Sequence, residues 1–380
     1  MTSNDRIAGL DYVRSAAILF VMIFHYEVYY GGPKWLEPLA RFGWTGVDLF
    51  FVLSGFLITR MLMREYAETN GMRFSRFYLN RALRILPVYF FILALYFLVP
   101  VLGEGRGLQP LWRFLTFTQN LPVDLHSNSF SHAWSLSVEE HFYLLFPLIL
   151  FGVWSLKLGS KVVWLILTIL LLGIVIRYVA WSELVEMTSG RAKIGAGLKW
   201  IYYPSYSRFD GLLFGVAIAV VTLRCPKLVS VCVKLKCLVI GIGLSSLTLA
   251  WIMVDGKILR PESFDLLPTL FLYPMISLGY GCLVMVAANA NWSSHTLFAR
   301  LASNLAAWSY SIYLVHKIIN HLINTQLIHI VALSEETRYI ISLILAIGAG
   351  AVLYYTVEKP FLLLRRRLND RWAERAVIIS

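Results

Sequence analysis

An arginine and a histidine bracket an apolar run near the start of the chain. The stretch RSAAILFVMIFH begins at Arg14 and ends at His25. Eleven residues at 100° each make three turns and about 20°, so a helix would place both side chains on one face, roughly 16 Å apart along its axis. Ionisable groups inside a membrane span indicate a functional site. The alternative is an arginine that snorkels to lipid headgroups and a histidine that only packs through hydrogen bonds.

Two acidic residues fall at a similar depth in other apolar runs. Asp48 lies in GWTGVDLFFVLSGFLITR. An unpaired aspartate there would cost roughly 2.5–3.5 kcal/mol, so we expect it to find a partner, and His25 is at similar depth. Glu139 shares one helical face with Ser135 and Tyr143 in HAWSLSVEEHFYLLFP. A carboxylate beside an imidazole orients it and raises its basicity, as a general base requires, whereas a purely structural ion pair is the alternative.

A polar stripe follows one face of a late apolar segment. In NLAAWSYSIYLVHKIIN, Ser309, Tyr313, His316 and Asn320 are spaced by four, three and four residues. This spacing predicts that all four side chains face the interior of a helix bundle. Proton-relay chemistry, a substrate lining and a hydrogen-bonded helix seam all remain open as explanations.

Other polar and small residues stand near the ends of apolar runs. Arg208 and Asp210 flank the start of one run, where they either pair or line an entrance for a polar acceptor. Trp134 suits an interfacial anchor. Ser54 and Gly55 favour close packing between helices, because both are small.

Four arginines crowd one short segment. Arg73, Arg76, Arg81 and Arg84 lie in RFSRFYLNRALRILPVYF, and the last two are three residues apart, on one helical face. Guanidinium groups bind phosphate oxygens well, so the segment predicts a phosphate-binding patch. A topology signal alone is the alternative. Arg14 opens onto the same predicted side of the membrane.

The composition is that of an integral membrane protein. Of 380 residues, 58% are hydrophobic and only 15% are charged, whereas soluble proteins carry about 25% charged residues. The net charge of +12 resides in short segments between apolar runs, which argues against nucleic-acid binding. The four cysteines show no metal-site spacing, and no metal is expected. We predict one membrane domain over residues 1–380, with a core of about 8–360 and a basic cytoplasmic tail at 361–380.

Ten membrane spans can be drawn along the chain. We predict an all-α polytopic bundle, because many of the runs approach the roughly 20 residues that a membrane helix needs. About twice as many lysines and arginines fall in the segments on the N-terminal side as on the other, which predicts that both termini are cytoplasmic. The predicted spans are about 8–29, 43–60, 85–102, 134–154, 162–180, 207–223, 237–254, 268–288, 304–324 and 339–357.

Seven segments together resemble the acyltransferase-3 family of membrane acyltransferases. They are GLDYVRSAAILFVMIFH, GVDLFFVLSGFLIT, RFYLNRALRILPVY, HAWSLSVEEHFYLLFP, SRFDGLLFG, SYSIYLVH and VEKP, in this order. One departure is Ser15, where the family usually has glycine after the arginine; we expect this exchange of one small residue for another to leave function unchanged. The chain is similar to the stand-alone form, which lacks an extracytoplasmic hydrolase-like domain.

The resemblance implies an enzyme of the bacterial cytoplasmic (inner) membrane with ten core helices. It would move an acyl group, most often acetyl, from acyl-coenzyme A to a hydroxyl of a carbohydrate such as O-antigen or exopolysaccharide. Some members acylate macrolides or other small molecules instead. The resemblance also implies that His25 is the catalytic histidine, that Arg14, Arg81 and Arg84 bind the donor, and that Glu139 is functional.

Combining residues and resemblance gives a working hypothesis for the site. His25 acts as general base, oriented by Asp48 or Glu139, with a transient acyl-histidine as the alternative. Acetyl-coenzyme A binds on the cytoplasmic side, with Arg73 as a further donor-site residue. The predicted acceptor-site residues are Tyr143, Trp134, Arg208, Asp210, Tyr313 and His316.

Two rival functions would use the same membrane architecture. A transporter or flippase of glycan precursors would use the buried charges as a substrate or proton path. The absence of a visible inverted repeat argues mildly against it. A non-catalytic export scaffold would not need buried histidines and carboxylates. The sequence leaves open the acceptor, the acyl chain length and the oligomeric state.

Overall fold

The computed structural model describes residues 7–104, 107–127, 129–293, 296–326 and 333–379, and in this part of the chain all regular structure is helical. The last residue of the predicted tail, Ser380, lies outside it. The α-helices are α1 (Ala8–Tyr30), α2 (Glu37–Phe42), α3 (Gly46–Thr69), α4 (Phe74–Leu98), α5 (Leu111–Leu115), α6 (Trp134–Ser155), α7 (Val162–Leu184), α8 (Gly190–Gly197), α9 (Asp210–Arg224), α10 (Pro226–Lys234), α11 (Lys236–Val254), α12 (Leu266–Asn289), α13 (Leu297–Thr325), α14 (Glu335–Leu353) and α15 (Lys359–Ile379).

Shorter helical turns connect these elements. The 3-10 turns are Lys34–Leu36, Gly43–Thr45, Pro100–Leu102, Ser131–Ala133, Gly159–Lys161, Ser205–Ser207 and Pro261–Phe264. Two π-helical turns lie at Leu198–Tyr202 and Tyr354–Glu358. The second of them joins α14 to α15 without a break. Because π-turns re-aim side chains and are frequent at functional sites, this junction is of interest for the site below.

Eight helical segments of the described chain are long and apolar enough to cross a membrane. They are Ala8–Tyr30, Lys34–Thr69, Phe74–Leu98, Ser131–Ser155, Val162–Leu184, Lys236–Val254, Leu266–Asn289 and Glu335–Trp372. Helices α9 and α10, bent by 107°, add a ninth if the pair counts as one span. The all-α membrane bundle is therefore confirmed, with eight or nine candidate spans where about ten were expected. Helix α13 matches a predicted span but is absent from the eight, because its polar stripe makes it less apolar.

The helices differ strongly in how much of their surface faces the protein interior. In the most apolar stretch of the segment containing α3, 72% of residues are buried, against 17% in α7. Helix α1 packs against α3, α12 and α13, while α3 also packs along α9. Helix α3 therefore lies in the middle of the bundle, whereas most of α7 faces outward.

Two glycines allow α3 and α9 to approach closely. A Cβ at Gly55 would lie 2.0 Å from the carbonyl oxygen of Leu212, and one at Gly215 would lie 2.2 Å from that of Val52. Any larger residue at either position would force the backbones apart. The predicted packing role of Gly55 is confirmed, whereas Ser54 also has a polar contact, described below.

Candidate active site

Three histidines meet at one end of the bundle. His25 comes from α1, His132 from the turn before α6, and His316 from α13. The ring centroids of His25 and His316 are 5.0 Å apart, and His132 lies 5.2 Å from His316 and 6.2 Å from His25. His132 and His316 are fully buried, and His25 is half-buried. We call these three residues the histidine cluster and this end of the bundle the histidine end.

The hydrogen bonds of the cluster assign its tautomers. His316 Nδ1 lies 2.8 Å from the carbonyl oxygen of Tyr313. Since a carbonyl only accepts, Nδ1 carries the proton and His316 Nε2 holds a lone pair. That Nε2 lies 3.1 Å from His25 Nδ1, which also faces the carbonyl oxygen of Val21 at 3.0 Å. His25 Nδ1 therefore carries its proton as well, and the lone pair of His25 resides on Nε2.

The third histidine has one buried acceptor atom without a hydrogen-bond partner among the described residues. His132 Nε2 lies 3.3 Å from the carbonyl oxygen of Leu314, which places its proton on Nε2. Its buried Nδ1 has no hydrogen-bond partner among the described residues. Likewise, His25 Nε2 makes no hydrogen bond with any described residue. Two imidazole lone pairs are thus left for a bound molecule.

A buried ion pair stands beside the histidine cluster. Lys317 Nζ lies 2.6 Å from a carboxylate oxygen of Glu104, and both side chains are at most 5% exposed. The ammonium also donates to Ser131 Oγ at 2.8 Å and to the Tyr29 hydroxyl at 3.3 Å. Tyr96 donates to the second Glu104 oxygen at 2.7 Å. This network of hydrogen bonds fixes several polar side chains beside the histidine cluster.

The polar stripe of α13 faces inward, as its spacing predicts. Ser309, Tyr313, His316 and Asn320 are all buried. The Tyr313 hydroxyl donates to the carbonyl oxygen of His132 and therefore accepts from Ser135 Oγ, both at 2.6 Å. In this stripe Tyr313 joins two helices, and His316 belongs to the histidine cluster.

Glu139 lies deeper in the bundle, away from the histidines. Ser54 Oγ donates to one carboxylate oxygen at 2.8 Å, and the Tyr143 hydroxyl donates to the other at 2.9 Å. The Glu139 charge also interacts with that of Arg14. Within the described chain, no hydrogen bond or ion pair joins Glu139 to His25. The expectation that Glu139 contacts His25 is therefore not met, because α6 carries this side chain toward the arginines.

Three of the four predicted donor-site arginines come together at the opposite end, the arginine end. The guanidinium groups of Arg14 and Arg84 interact electrostatically, as do those of Arg81 and Arg84. The Arg81 guanidinium lies 5.3 Å from the centroid of the Tyr143 ring. Arg73, in contrast, precedes α4 about 12 Å from Arg81 along the helix axis and interacts with Glu65. We call Arg14, Arg81 and Arg84 the arginine cluster.

Two residues from the end of the chain join this cluster. Glu358, in the π-turn before α15, is 2% exposed and accepts a 2.7 Å hydrogen bond from Ser311 Oγ. Its charge interacts with those of Arg84 and Arg14. Arg365, two turns further along α15, interacts electrostatically with Arg84 and Arg81. The predicted basic cytoplasmic tail therefore contributes Arg365 to the arginine end, and the π-turn before it contributes Glu358.

The expected partnership of Asp48 with His25 is wrong. Asp48 accepts a 2.7 Å hydrogen bond from Arg208 Nη2, and both side chains are almost fully buried. The close approach of α3 and α9 brings these charges together, and neutralising a buried aspartate with an arginine lowers its desolvation cost. Asp210 pairs with Arg177 of α7 at 2.7 Å instead of Arg208.

An aromatic cage surrounds the Arg208 guanidinium. The group lies 4.1 Å from the centroid of the Tyr273 ring, 4.7 Å from that of Tyr202 and 5.1 Å from that of Trp134. Trp134 is 5% exposed. An interfacial anchor would lie at the protein surface, so Trp134 packs against a buried cation instead. Together the two ion pairs join α3, α7 and α9 as a structural support.

The sequence did not lead us to expect some residues of these networks as site or support residues. Arg177 carried a usable signal, since it is a lone charge within the long apolar run of α7. His132 and Lys317 also carried one, because His132 begins the segment HAWSLSVEEHFY and Lys317 directly follows SYSIYLVH. Glu104 and Arg365 carried none, since one lies in a loop and the other among five arginines of the basic tail.

The described residues contain no group of three or more histidine, cysteine, aspartate or glutamate side chains arranged to hold a metal ion. The side chains of the site supply an imidazole with a free Nε2 lone pair at one end of α1 and a set of guanidinium groups at the other.

The chain is similar to known acyltransferases. Residues 7–355 match the family model described as an acyltransferase domain. A protein of Staphylococcus aureus strain COL, provisionally named an O-acetyltransferase, is 31% identical over 157 residues, which are 38% of this chain and 24% of that protein. The O-acetyltransferase OatA of S. aureus strain NCTC 8325 is 28% identical over 163 residues, which are 40% of this chain and 26% of OatA.

These two matches each span about a quarter of the length of the relative. No solved structure matches the chain. The family model, however, covers nearly the whole chain, from before α1 to the π-turn that follows α14. The protein therefore belongs to the acyltransferase-3 family.

Proposed function

We propose that this membrane acyltransferase is an acyl-coenzyme A dependent O-acyltransferase, with acetyl as the transferred group and a carbohydrate hydroxyl as the acceptor. The proposal rests mainly on the tautomers assigned to the histidine cluster. His316 fixes the proton of His25 on Nδ1, so that Nε2 is the atom free to accept a proton. A general base needs this arrangement.

The chemical step follows from that assignment. His25 Nε2 removes the proton of the acceptor hydroxyl while the hydroxyl oxygen attacks the carbonyl carbon of the thioester. The tetrahedral intermediate then loses the thiolate as the carbon–sulfur bond breaks, and the His25 imidazolium returns its proton to that sulfur. Throughout, His25 Nδ1–H donates to His316 Nε2, which stabilises the imidazolium without a second buried charge.

The arginine cluster supports a phosphorylated donor. Coenzyme A carries a diphosphate and a 3′-phosphate at one end and its thiol at the other. Guanidinium forks bind phosphate oxygens in two-point contacts. Arg14 and His25 share one face of α1, roughly 16 Å apart along its axis. An extended pantetheine arm would run from the phosphates at the arginine end to a thioester beside His25.

The histidine end supports an acceptor rich in hydroxyl groups. The free Nδ1 of His132 accepts hydrogen bonds, and the Lys317–Glu104 pair supplies a charged wall close to it. Sites that hydrogen-bond a substrate hydroxyl discriminate strongly against analogues without it. The relatives named O-acetyltransferases favour a hydroxyl acceptor and an acetyl group, and the carbohydrate class rests on the family resemblance.

Acetyl transfer by the purified protein in liposomes tests the proposal. The protein is given acetyl-coenzyme A with a labelled acetyl group and a panel of glycans, and both glycan label and free thiol are measured. We expect transfer with equal thiol release. His25→Ala should lower the rate by about 10²–10⁴-fold, the usual contribution of a general base, while His126→Ala, at an exposed loop histidine, should not.

Two outcomes would contradict the proposal. Equal transfer by folded His25→Ala protein would remove His25 as the base. Movement of a glycan precursor across the membrane without thiol release would favour a transporter instead. Coenzyme A binding by the His25→Ala protein is the folding control, because the arginine cluster lies at the other end of α1.

A further inference from the structure

Helix α15 is attached to α4 at the arginine end by a reciprocal amide contact. Asn369 Nδ2 donates to Asn80 Oδ1 at 3.0 Å, and Asn80 Nδ2 donates to Asn369 Oδ1 at 3.3 Å. Arg76 Nε adds a third hydrogen bond to Asn369 Oδ1 at 2.7 Å. Three bonds to one side chain fix the register of the two helices.

The register brings two arginines face to face. Arg84 lies four residues after Asn80 on α4, and Arg365 lies four residues before Asn369 on α15. Four residues are one turn, or about 6 Å, so each arginine stands on the contact face of its own helix. The guanidinium groups of Arg84 and Arg365 interact electrostatically, and Arg365 also interacts with Arg81.

The charge of Glu358 also interacts with that of Arg365. Seven residues separate them, which places both on nearly the same face of the helix. Glu358 is buried and bonded to Ser311 of α13. The face of α15 is thus fixed at Glu358 and at Asn369, and Arg365 lies between these two points along the helix.

The side chains of this region favour a phosphorylated ligand. Four guanidinium groups, from the arginine cluster and Arg365, interact with one another and with the carboxylates of Asp11, Glu139, Glu140 and Glu358. Bringing like charges together costs free energy unless counter-charges arrive. Phosphate oxygens are the partners that such forks accept best.

We propose that Arg365 completes the donor site, so that α15 and α4 clamp the phosphate groups of coenzyme A between Arg365 on one side and Arg81 and Arg84 on the other. The proposal rests on the proposed function. It also adds a residue that the family match does not assign, because that match ends at residue 355. A lipid phosphate offers the same chemistry. We argue for the donor as the occupant, because Arg365 lies on the face of α15 that contacts α4 and interacts there with Arg81 and Arg84.

Binding calorimetry on the full chain tests this clamp. The protein is placed in nanodiscs of phosphatidylcholine and titrated with coenzyme A. Arg365→Gln should weaken binding by about tenfold or more, the value of a charged hydrogen bond. The matched control is Arg367→Gln, an exposed arginine on the same helix, and it should bind as the wild type does. Turnover of acetyl-pantetheine, which lacks phosphates, should be the same for all three proteins.

The outcomes separate the two proposals. If the wild type binds coenzyme A and Arg365→Gln binds it equally well, the clamp is wrong and the proposed function stands. Equal weakening by the two variants would mean that only bulk charge matters, which also overturns the clamp. If the wild type neither binds nor consumes a coenzyme A thioester, the proposed function fails first.

Amide hydrogen exchange of the wild-type protein tests the clamp without a variant that could misfold. Coenzyme A should slow amide hydrogen exchange in α15 around Arg365 and leave exchange in α7, on the outside of the bundle, unchanged. Unchanged exchange in α15 would overturn the clamp. A final experiment uses nanodiscs that contain phosphatidylglycerol. If Arg365→Gln alters binding of that lipid but not of coenzyme A, Arg365 binds a lipid phosphate and the clamp is wrong.

Discussion

His316 Nε2 stands 3.1 Å from His25 Nδ1, the position at which an acid–base histidine commonly has a carboxylate. The pair is therefore a dyad of two neutral imidazoles, anchored by the carbonyl oxygen of Tyr313. A neutral partner fixes the tautomer without placing a negative charge in a buried site, which would carry a large desolvation cost. In the proposed mechanism, His316 therefore takes the orienting role for which Asp48 and Glu139 were the expected candidates.

Replacing His316 tests the orienting role. We expect His316→Ala to lower kcat by about 10- to 150-fold, because a hydrogen bond to a charged group is worth roughly 1.5–3 kcal/mol. His316→Gln retains an acceptor that can reach His25 and should recover part of this loss. Steady-state kinetics with acetyl-coenzyme A and the glycan acceptor give both values.

The donor dissociation constant is the control for this pair of variants. His316 lies at the histidine end, so coenzyme A binding at the arginine end should remain within about twofold of the wild type. A loss of donor binding in parallel with kcat, or equal loss in the Ala and Gln variants, would indicate that His316 only supports the fold.

The Tyr143 ring and its hydroxyl serve different partners, and a second pair of variants separates them. The ring lies under the Arg81 guanidinium, while the hydroxyl donates to Glu139. Tyr143→Phe keeps the ring and should leave the dissociation constant of coenzyme A unchanged. Tyr143→Leu removes the cation–π contact and should raise it about 2- to 30-fold, the range for 0.5–2 kcal/mol. Equal affinities of the Phe and Leu variants would show that Arg81 does not depend on the ring.

The sequence predicts the fold of this protein better than it predicts the contacts within the site. The membrane helices and the shared face of Arg14 and His25 follow from local periodicity, which one segment contains in full. The inward stripe of α13 was predictable for the same reason. These features need no knowledge of which helices are neighbours.

The pairings inside the bundle could not be predicted in this way. Asp48 and Arg208 are 160 residues apart in the chain, and similar depth alone made His25 an equally reasonable partner for Asp48. Which helices touch depends on where small residues permit close approach, as at Gly55 and Gly215. Arg365 shows the same limit, because its basic surroundings in sequence are typical of a surface tail.

The Asp48–Arg208 ion pair is expected to support the fold more than the chemistry. Arg208→Ala leaves a buried aspartate without its partner and should destabilise the protein by roughly 3–5 kcal/mol. Arg260→Ala, which breaks the exposed pair with Asp255, should cost at most about 1 kcal/mol. Unfolding in detergent, followed by circular dichroism, compares the two.

Activity normalised to folded protein decides whether Asp48 also takes part in the reaction. Asp48→Asn keeps the shape of the side chain and should preserve most of the turnover per folded molecule. A drop comparable to that of His25→Ala, with unchanged unfolding behaviour, would restore Asp48 as a catalytic residue and count against the structural role given to it here.

The glycine contact between α3 and α9 holds Asp48 and Arg208 in register, and substitutions test its tightness. Gly55→Ala would bring a methyl group to 2.0 Å from the carbonyl oxygen of Leu212. We expect a loss of about 1–3 kcal/mol from this overpacking. Gly241→Ala is the matched control, since nothing lies within 4 Å of its added Cβ, and alanine should stabilise helix α11 by up to about 1 kcal/mol. Thermal unfolding midpoints should therefore move in opposite directions, and an unchanged or raised midpoint for Gly55→Ala would mean that α3 and α9 are not in close contact.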